Sequence, residues 1–246
     1  MIEWLSGLLC LWLGICGQQG ASGTCRDVVH DSNKHVVCSY RLAQVSVEMF
    51  HSDKNKKPYG SLAPLKRQLD RTPLMLANGG MYHENLAPVG LYIERGRQFV
   101  GASTKGGWGN FHLLPNGVFW IDGDRAGVSE TKAFLRRSIK VAHGVDYATQ
   151  SGPMLVIDGK LHPRFLKDST SKKIRNGVGV SADGQWVHFA QSRGLVTFWS
   201  FGTLFRDVLE TPNALFLDGS ISTMEAGDYR LGGWRPLGPI IGVFAR

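Results

Sequence analysis

Cysteine is scarce in this chain of 246 residues: there are four, and Cys10 and Cys16 fall in its opening stretch. No CxxC pair and no Cys/His spacing of the kind that holds zinc occurs, which removes the zinc-ribbon and zinc-finger classes. Long apolar runs are lacking too. The stretch from Trp4 to Cys16 is too short to cross a bilayer as a helix. With the small and polar residues that follow, as far as Ala21, Ser22 and Gly23, it has the layout of a secretory signal peptide over residues 1–23. Glu3 stands where such leaders carry a basic residue, so an uncleaved membrane anchor or a mis-assigned start codon are the alternative readings. Also missing are GxSxG, HExxH, a Walker loop and a dinucleotide fingerprint, which demotes the enzyme classes that depend on them. Neither a cofactor nor a resident metal is expected. No fixed-period repeat, low-complexity tract or linker divides residues 24–246, which read as one domain.

Charge is modest, at 20% of residues, and acidic side chains are the minority: 20 Asp and Glu against 28 Lys and Arg, a net charge of +8. Outside the cytoplasm such a balance favours phosphorylated or acidic glycans and membrane surfaces as partners over nucleic acid. The basic clusters "DKNKK" (Asp53 to Lys57) and "STSKKIR" (Ser169 to Arg175) read as solvated loops. Cys25 and Cys38, the pair left after the leader, read as one disulfide worth about 3 kcal/mol by loop entropy, or as two buried thiols. No stable membrane insertion is expected once the leader is gone, and the location is periplasmic or extracellular.

Glycine, by contrast, is plentiful, with 31 residues, and points to tight turns between short strands. "VSVEMF" alternates, while "LMLA" and "ALFL" are apolar runs of strand length. Gly-bearing turns lie between strand-like runs from Gly90, Val118, Met154 and Gly177, each with the form of a β-hairpin. Two helices are predicted. One follows a Ser61 cap with Leu62, Leu65 and Leu69 on one face; the other carries Phe201, Leu204, Phe205, Val208 and Leu209 and is stopped by Pro212. The fold class is α+β: a single domain with a mostly antiparallel or mixed sheet and a few packed helices.

Four Asp-Gly pairs occur, at Asp122, Asp158, Asp183 and Asp218. Three run at once into another strand-like segment and read as hairpin turns. The fourth, in "ALFLDGSISTMEA", has no immediate return strand. A carboxylate at the end of an apolar strand, followed by Gly and hydroxyls, can take a proton or attack carbon while the loop holds an anion; the alternative is that Asp218 bonds its own turn amides. Further candidates are Asn78-Gly79-Gly80, where glycines permit close backbone approach, and Arg175-Asn176, where a guanidinium can grip phosphate with two parallel bonds. Gln150-Ser151-Gly152 comes before a strand.

"LANGGMY", "PVGLYIERG", "QSGPMLVIDGKLHPRF", "IRNGVGVSADGQ" and "LFLDGSIST" occur in an order that resembles the phosphodiester glycosidase family, from about Leu42 to the C-terminus. The resemblance implies an exported hydrolase of sugar-1-phosphodiesters that releases sugar and leaves a phosphomonoester on the glycan. From the needs of that reaction, a charged leaving group to be held more than protonated, Asp218 is expected as nucleophile or as base for water, Arg175 on the phosphate with Asn176, Ser222 and Thr223 assisting, and Glu84 as a second carboxylate. Asn78, Gly79, Gly80, Gln150, Ser151 and Gly152 complete the pocket. Ser220 and Ile221 depart from the family's glycine-rich run. The rival readings are a non-catalytic binding module for phosphorylated envelope glycans and a metal-dependent hydrolase using some of His83, Glu84, His112, His143 and Asp218.

Overall fold

The computed structural model describes residues 23–138, 144–219 and 221–246. The leader expected at residues 1–23 lies outside them except for Gly23, as does His143. No helix among the described residues is long and apolar enough to cross a membrane.

Three sheets make the domain, and every strand pairing among the described residues is antiparallel. The seven-stranded sheet runs in the order Gly23–His30, Asn33–Arg41, Trp186–Ser192, Asn176–Val180, Asn213–Asp218, Met154–Ile157, Lys160–Leu161. A second sheet has Met75–Asn78 at its centre, between Met224–Ala226 and Ile240–Ala245. The third centres on Tyr147–Ser151, between Tyr92–Glu94 and Gly117–Asp122. Their inner faces meet in one core that takes Val36 and Val178 from the first sheet, Met49 and Ala77 from the second, and Phe119 from the third. Phe119 meets Phe189 edge-on, with ring centroids 5.9 Å apart. A shared core of this kind is what makes the three sheets a single α+β domain.

The turns follow local chemistry. Asp122-Gly123, Asp158-Gly159 and Asp183-Gly184 each join paired antiparallel strands. At the second, both residues have positive φ (47° and 77°), the backbone of the two-residue turn that suits strand twist. Cys25 and Cys38 face each other across the first hairpin and are joined as a disulfide.

The helices depart from expectation in detail. Leu62–Lys66 does bury Leu62 and Leu65, but Ser61 makes no side-chain cap bond, although its backbone is extended as a cap requires. The second helix starts earlier, at Phe198, with Thr197 accepting the amide of Ser200, and turns π-helical over Leu204–Val208. The wider turns rotate Val208 out of the predicted face, to 39% exposure, while Phe201, Leu204 and Phe205 are fully buried.

That helix lies against the outer face of the seven-stranded sheet because Asn176–Val180 offers glycine toward it. A Cβ on Gly177 would sit 2.8 Å from the backbone oxygen of Leu215 and 3.2 Å from Phe201. One on Gly179 would sit 2.8 Å from Thr211 and 3.0 Å from Phe205. Gly177→Ala should therefore destabilise the fold by about 1–3 kcal/mol through overpacking against backbone that cannot move aside. A denaturant titration with an unchanged slope and a lower midpoint is the expected result.

Candidate active site

The site forms where the three sheets converge. Asn213–Asp218 pairs with Asn176–Val180 in register until Gly177 faces Phe216; the next pair is Asn176 and Asp218, so Leu217 is skipped. The bulge aims Asn176 at the end of the neighbouring strand. The carbonyl of the skipped Leu217 accepts the Ser151 hydroxyl at 2.7 Å, tying in the third sheet.

Asn176 Oδ1 accepts the Asp218 amide at 2.9 Å, and its Nδ2 donates to Asn78 Oδ1 at 2.6 Å. The same Asn78 oxygen accepts the amide of Thr223 at 2.9 Å, while the Asn78 amide donates to the Thr223 carbonyl at 3.2 Å. Both asparagines are 1% exposed. Two side-chain amides thus clamp both ends of the Asp218 loop.

The glycines are steric requirements. A Cβ on Gly80 would lie 2.4 Å from the Gln150 carbonyl oxygen, and the Gly80 amide donates to Thr149 Oγ1 at 3.2 Å. Gly79 donates to the Pro239 carbonyl at 2.7 Å, and a Cβ on it would meet Pro239 at 3.0 Å.

Burial pushes the Asp218 carboxyl up to about 6, against the lowering effect of the Gly219 and Ile221 amides that face it. The alternative of an Asp bonded to its own turn is thus present as well, since Gly219 donates to Asp218 Oδ1. Near it stands a group the sequence reading did not single out, Tyr82, which donates to the Pro236 carbonyl. Its phenol is pushed up, first by burial and then by the charge of Asp218, with Arg235 opposing. Arg235 is exposed and makes no hydrogen bond or ion pair among the described residues.

Several expected ligands are placed differently. Gln150 spends its whole amide on backbone and core: Oε1 accepts from Leu91 and Ser103, and Nε2 donates to the Ser103 carbonyl and to Thr131. Gly152 packs on Asn116, 2.7 Å from its would-be Cβ. Ser222 donates to the carbonyls of Asp218 and Gly219, and Thr223 donates to that of Ile221, so both hydroxyl protons brace the loop. The Arg175 guanidinium is 1% exposed, with its carbon 3.4 Å from the Phe198 ring centroid. Nε donates to Val196 O and Nη2 to Ser171 O, so two of its three nitrogens are committed to backbone carbonyls. Nη1 has no partner, and burial holds the group down to about 10. Glu84 is exposed in a turn two residues beyond Tyr82.

Ile221, the departure, packs part-buried on the cluster of Leu62, Leu65, Leu76 and Leu237. Its side chain anchors the loop while its amide serves Asp218. Ser220 lies outside the described residues. No group of three or more His, Cys, Asp and Glu that could hold a metal occurs among the described residues. Within that set His83 is exposed beside Glu84, and His112 pairs with the Lys105 carbonyl.

The family profile described as phosphodiester glycosidase matches residues 72–244. The chain belongs to the phosphodiester glycosidase family. The match covers every residue of the clamp, together with Tyr82 and Arg235. The Escherichia coli (strain K12) uncharacterized protein YigE is 38% identical over 180 residues, 72% of this chain and 68% of its own. In structure the chain is similar to the zebrafish N-acetylglucosamine-1-phosphodiester alpha-N-acetylglucosaminidase catalytic domain, auto-inhibited by its pro-peptide. That likeness has a TM-score of 0.62 at 15% identity and covers 91% of this chain and 82% of the other. It is a likeness of fold. Membership in the phosphodiester glycosidases places the chain with hydrolases of phosphodiester-linked sugars.

Asn78→Ala would leave Asn176 Nδ2 and the Thr223 amide buried without an acceptor. At about 1–3 kcal/mol for each such donor, a loss of roughly 2–6 kcal/mol in unfolding free energy is expected by chemical denaturation.

Proposed function

We propose that this phosphodiester glycosidase is an exported enzyme that hydrolyses sugar-1-phosphodiester bonds in phosphorylated glycans, with Asp218 as nucleophile or as base for water. The observation that carries the reading is Asp218 itself, a part-buried carboxyl raised to about 6 at the bulged end of a strand, held by the Asn78–Asn176 clamp. The Cys25–Cys38 disulfide supports an oxidising compartment.

Attack at the anomeric carbon breaks its bond to the phosphate oxygen, and the electron pair leaves on that oxygen as a phosphomonoester. Such a group departs with little protonation, so the site has more need to hold charge than to donate a proton. Two cations are assigned to that charge: Arg235 from the exposed side, and Arg175 from within the core, where its buried guanidinium acts through its charge and makes no contact with the phosphate. The Tyr82 phenol gives its one proton to the Pro236 carbonyl, so its oxygen is left to accept a hydrogen bond from a sugar hydroxyl. Glu84 stays as the second carboxylate only if substrate draws its loop inward. Ser151 and the Gly79-Gly80 turn shape the wall.

Purified protein incubated with a panel of sugar-1-phosphodiesters should release free sugar; no release across the panel would leave the binding-module reading in its place. Asp218→Asn should lower turnover by roughly a thousandfold or more while retaining substrate binding. The same substitution should stabilise the fold above pH 6. Because the folded carboxyl holds its proton up to about 6 and the unfolded one only to about 3.8, stability falls as pH rises through that window, by up to roughly 3 kcal/mol. Calorimetry at pH 7.5 on both proteins reads the difference.

The active form is the carboxylate, so kcat/KM should rise with pH up to about 6 and level off above it. A profile flat between pH 4 and 7 would remove Asp218 from the reacting position.

A further inference from the structure

A cleft of about 1020 Å³ lies between the strand Val45–Phe50, the hairpin of Tyr92–Glu94 and Arg97–Val100, and the segment that carries "DKNKK". Apart from Leu65, on whose cluster Ile221 packs, none of its lining residues belongs to the site described above. Its volume is at the upper end for a small-ligand site, enough for more than one sugar ring.

Its walls carry three kinds of group. Phe99 is 55% exposed on the outer strand, with the Arg97 guanidinium 5.0 Å from its centroid and Tyr92 6.2 Å away. Glu94 is half-buried, its carboxylate accepting the Tyr92 hydroxyl at 2.7 Å, and burial raises it above the usual carboxylate range. At the rim, Asp53 spends its carboxylate on the amides of Asn55 and Lys57, each at 2.9 Å. That leaves Lys54 and Lys56 exposed, with no ion pair among the described residues. An aromatic face, a carboxylate within the wall and unpaired cations at the lip match, in order, the C–H face, the hydroxyls and the phosphates of a phosphorylated sugar chain.

The cleft and the clamp share one loop. After Gly80 the chain brings Tyr82 within the electrostatic reach of Asp218, and four residues on, the Leu86 carbonyl pairs with His51 Nε2 at 2.9 Å in the cleft wall. The segment edging the cleft also bridges Gly60 to Leu237, just past Arg235.

We propose that this cleft is a second binding site for phosphorylated glycan, holding a stretch of polymer beside the loop that carries Tyr82. The choice of ligand rests on the proposed function, so the test reads binding, with no turnover needed. Calorimetric titration of Asp218→Asn protein with a linear hexose-1-phosphate polymer of several units should show binding. Phe99→Ala or Glu94→Gln in that background should weaken it about tenfold or more. Lys54→Ala with Lys56→Ala should flatten its salt dependence. Phe99 is exposed, so its truncation should leave the melting profile unchanged; Glu94→Gln keeps the shape of the wall and serves as the second variant.

A dissociation constant within about twofold in both variants would overturn the proposal. So would inorganic polyphosphate binding as tightly as the polymer, or no measurable polymer binding by any form. Phe99-dependent binding without sugar release on the panel would sink the proposed activity and leave this site standing; release without such binding would do the reverse.

Discussion

One oxygen atom holds the site together. Asn78 Oδ1 accepts from Asn176 and from the Thr223 amide, and through Asn176 it reaches the amide of Asp218. These partners come from two sheets and from the loop between Asp218 and Met224. In a buried setting neither donor can turn to water, so the acceptor fixes both at once. The placement of Asp218 is then a property of sheet packing rather than of a flexible loop.

This rigidity bears on the carboxylate. An ionised Asp218 is disfavoured by burial and only partly compensated by two amides, which is a cost to the fold at neutral pH. The clamp keeps the loop from relaxing toward solvent to relieve it. Ile221 contributes to the same end from the other side by seating the loop on an apolar cluster. The bulky residue that departs from the glycine-rich pattern is thus a packing element, and the loop reaches Asp218 through its backbone.

Much of the frame was legible because its causes are local. Asp-Gly turns set their own backbone, and three of the four produced hairpins; the fourth stood out because no return strand followed it at once. Asn78, Asn176 and Asp218 were legible as candidates for the same reason, polar residues at the ends of apolar strands. What could not be read was orientation. Whether Gln150 faces a pocket or the core depends on the strand beside it, and Arg175 turns inward onto Phe198, a ring 23 positions away. Tyr82 and Arg235 lie 153 positions apart and meet near Asp218 only because the sheet of Met75–Asn78 is built from distant segments. The π-helical turn at Leu204 left no mark in the apolar periodicity, which fits an ordinary helix equally well.

The family match begins at residue 72, yet the sheets do not. Asn33–Arg41 forms the full ladder along Trp186–Ser192, and Val45–Phe50 does the same along Ile240–Ala245. A fragment cut at the family boundary would bare two long strand edges, one of them in the sheet that carries Asn176 and Asp218, and would invite pairing between copies. The stretch that the family profile matches and the stretch whose strands complete these sheets are different lengths of this chain.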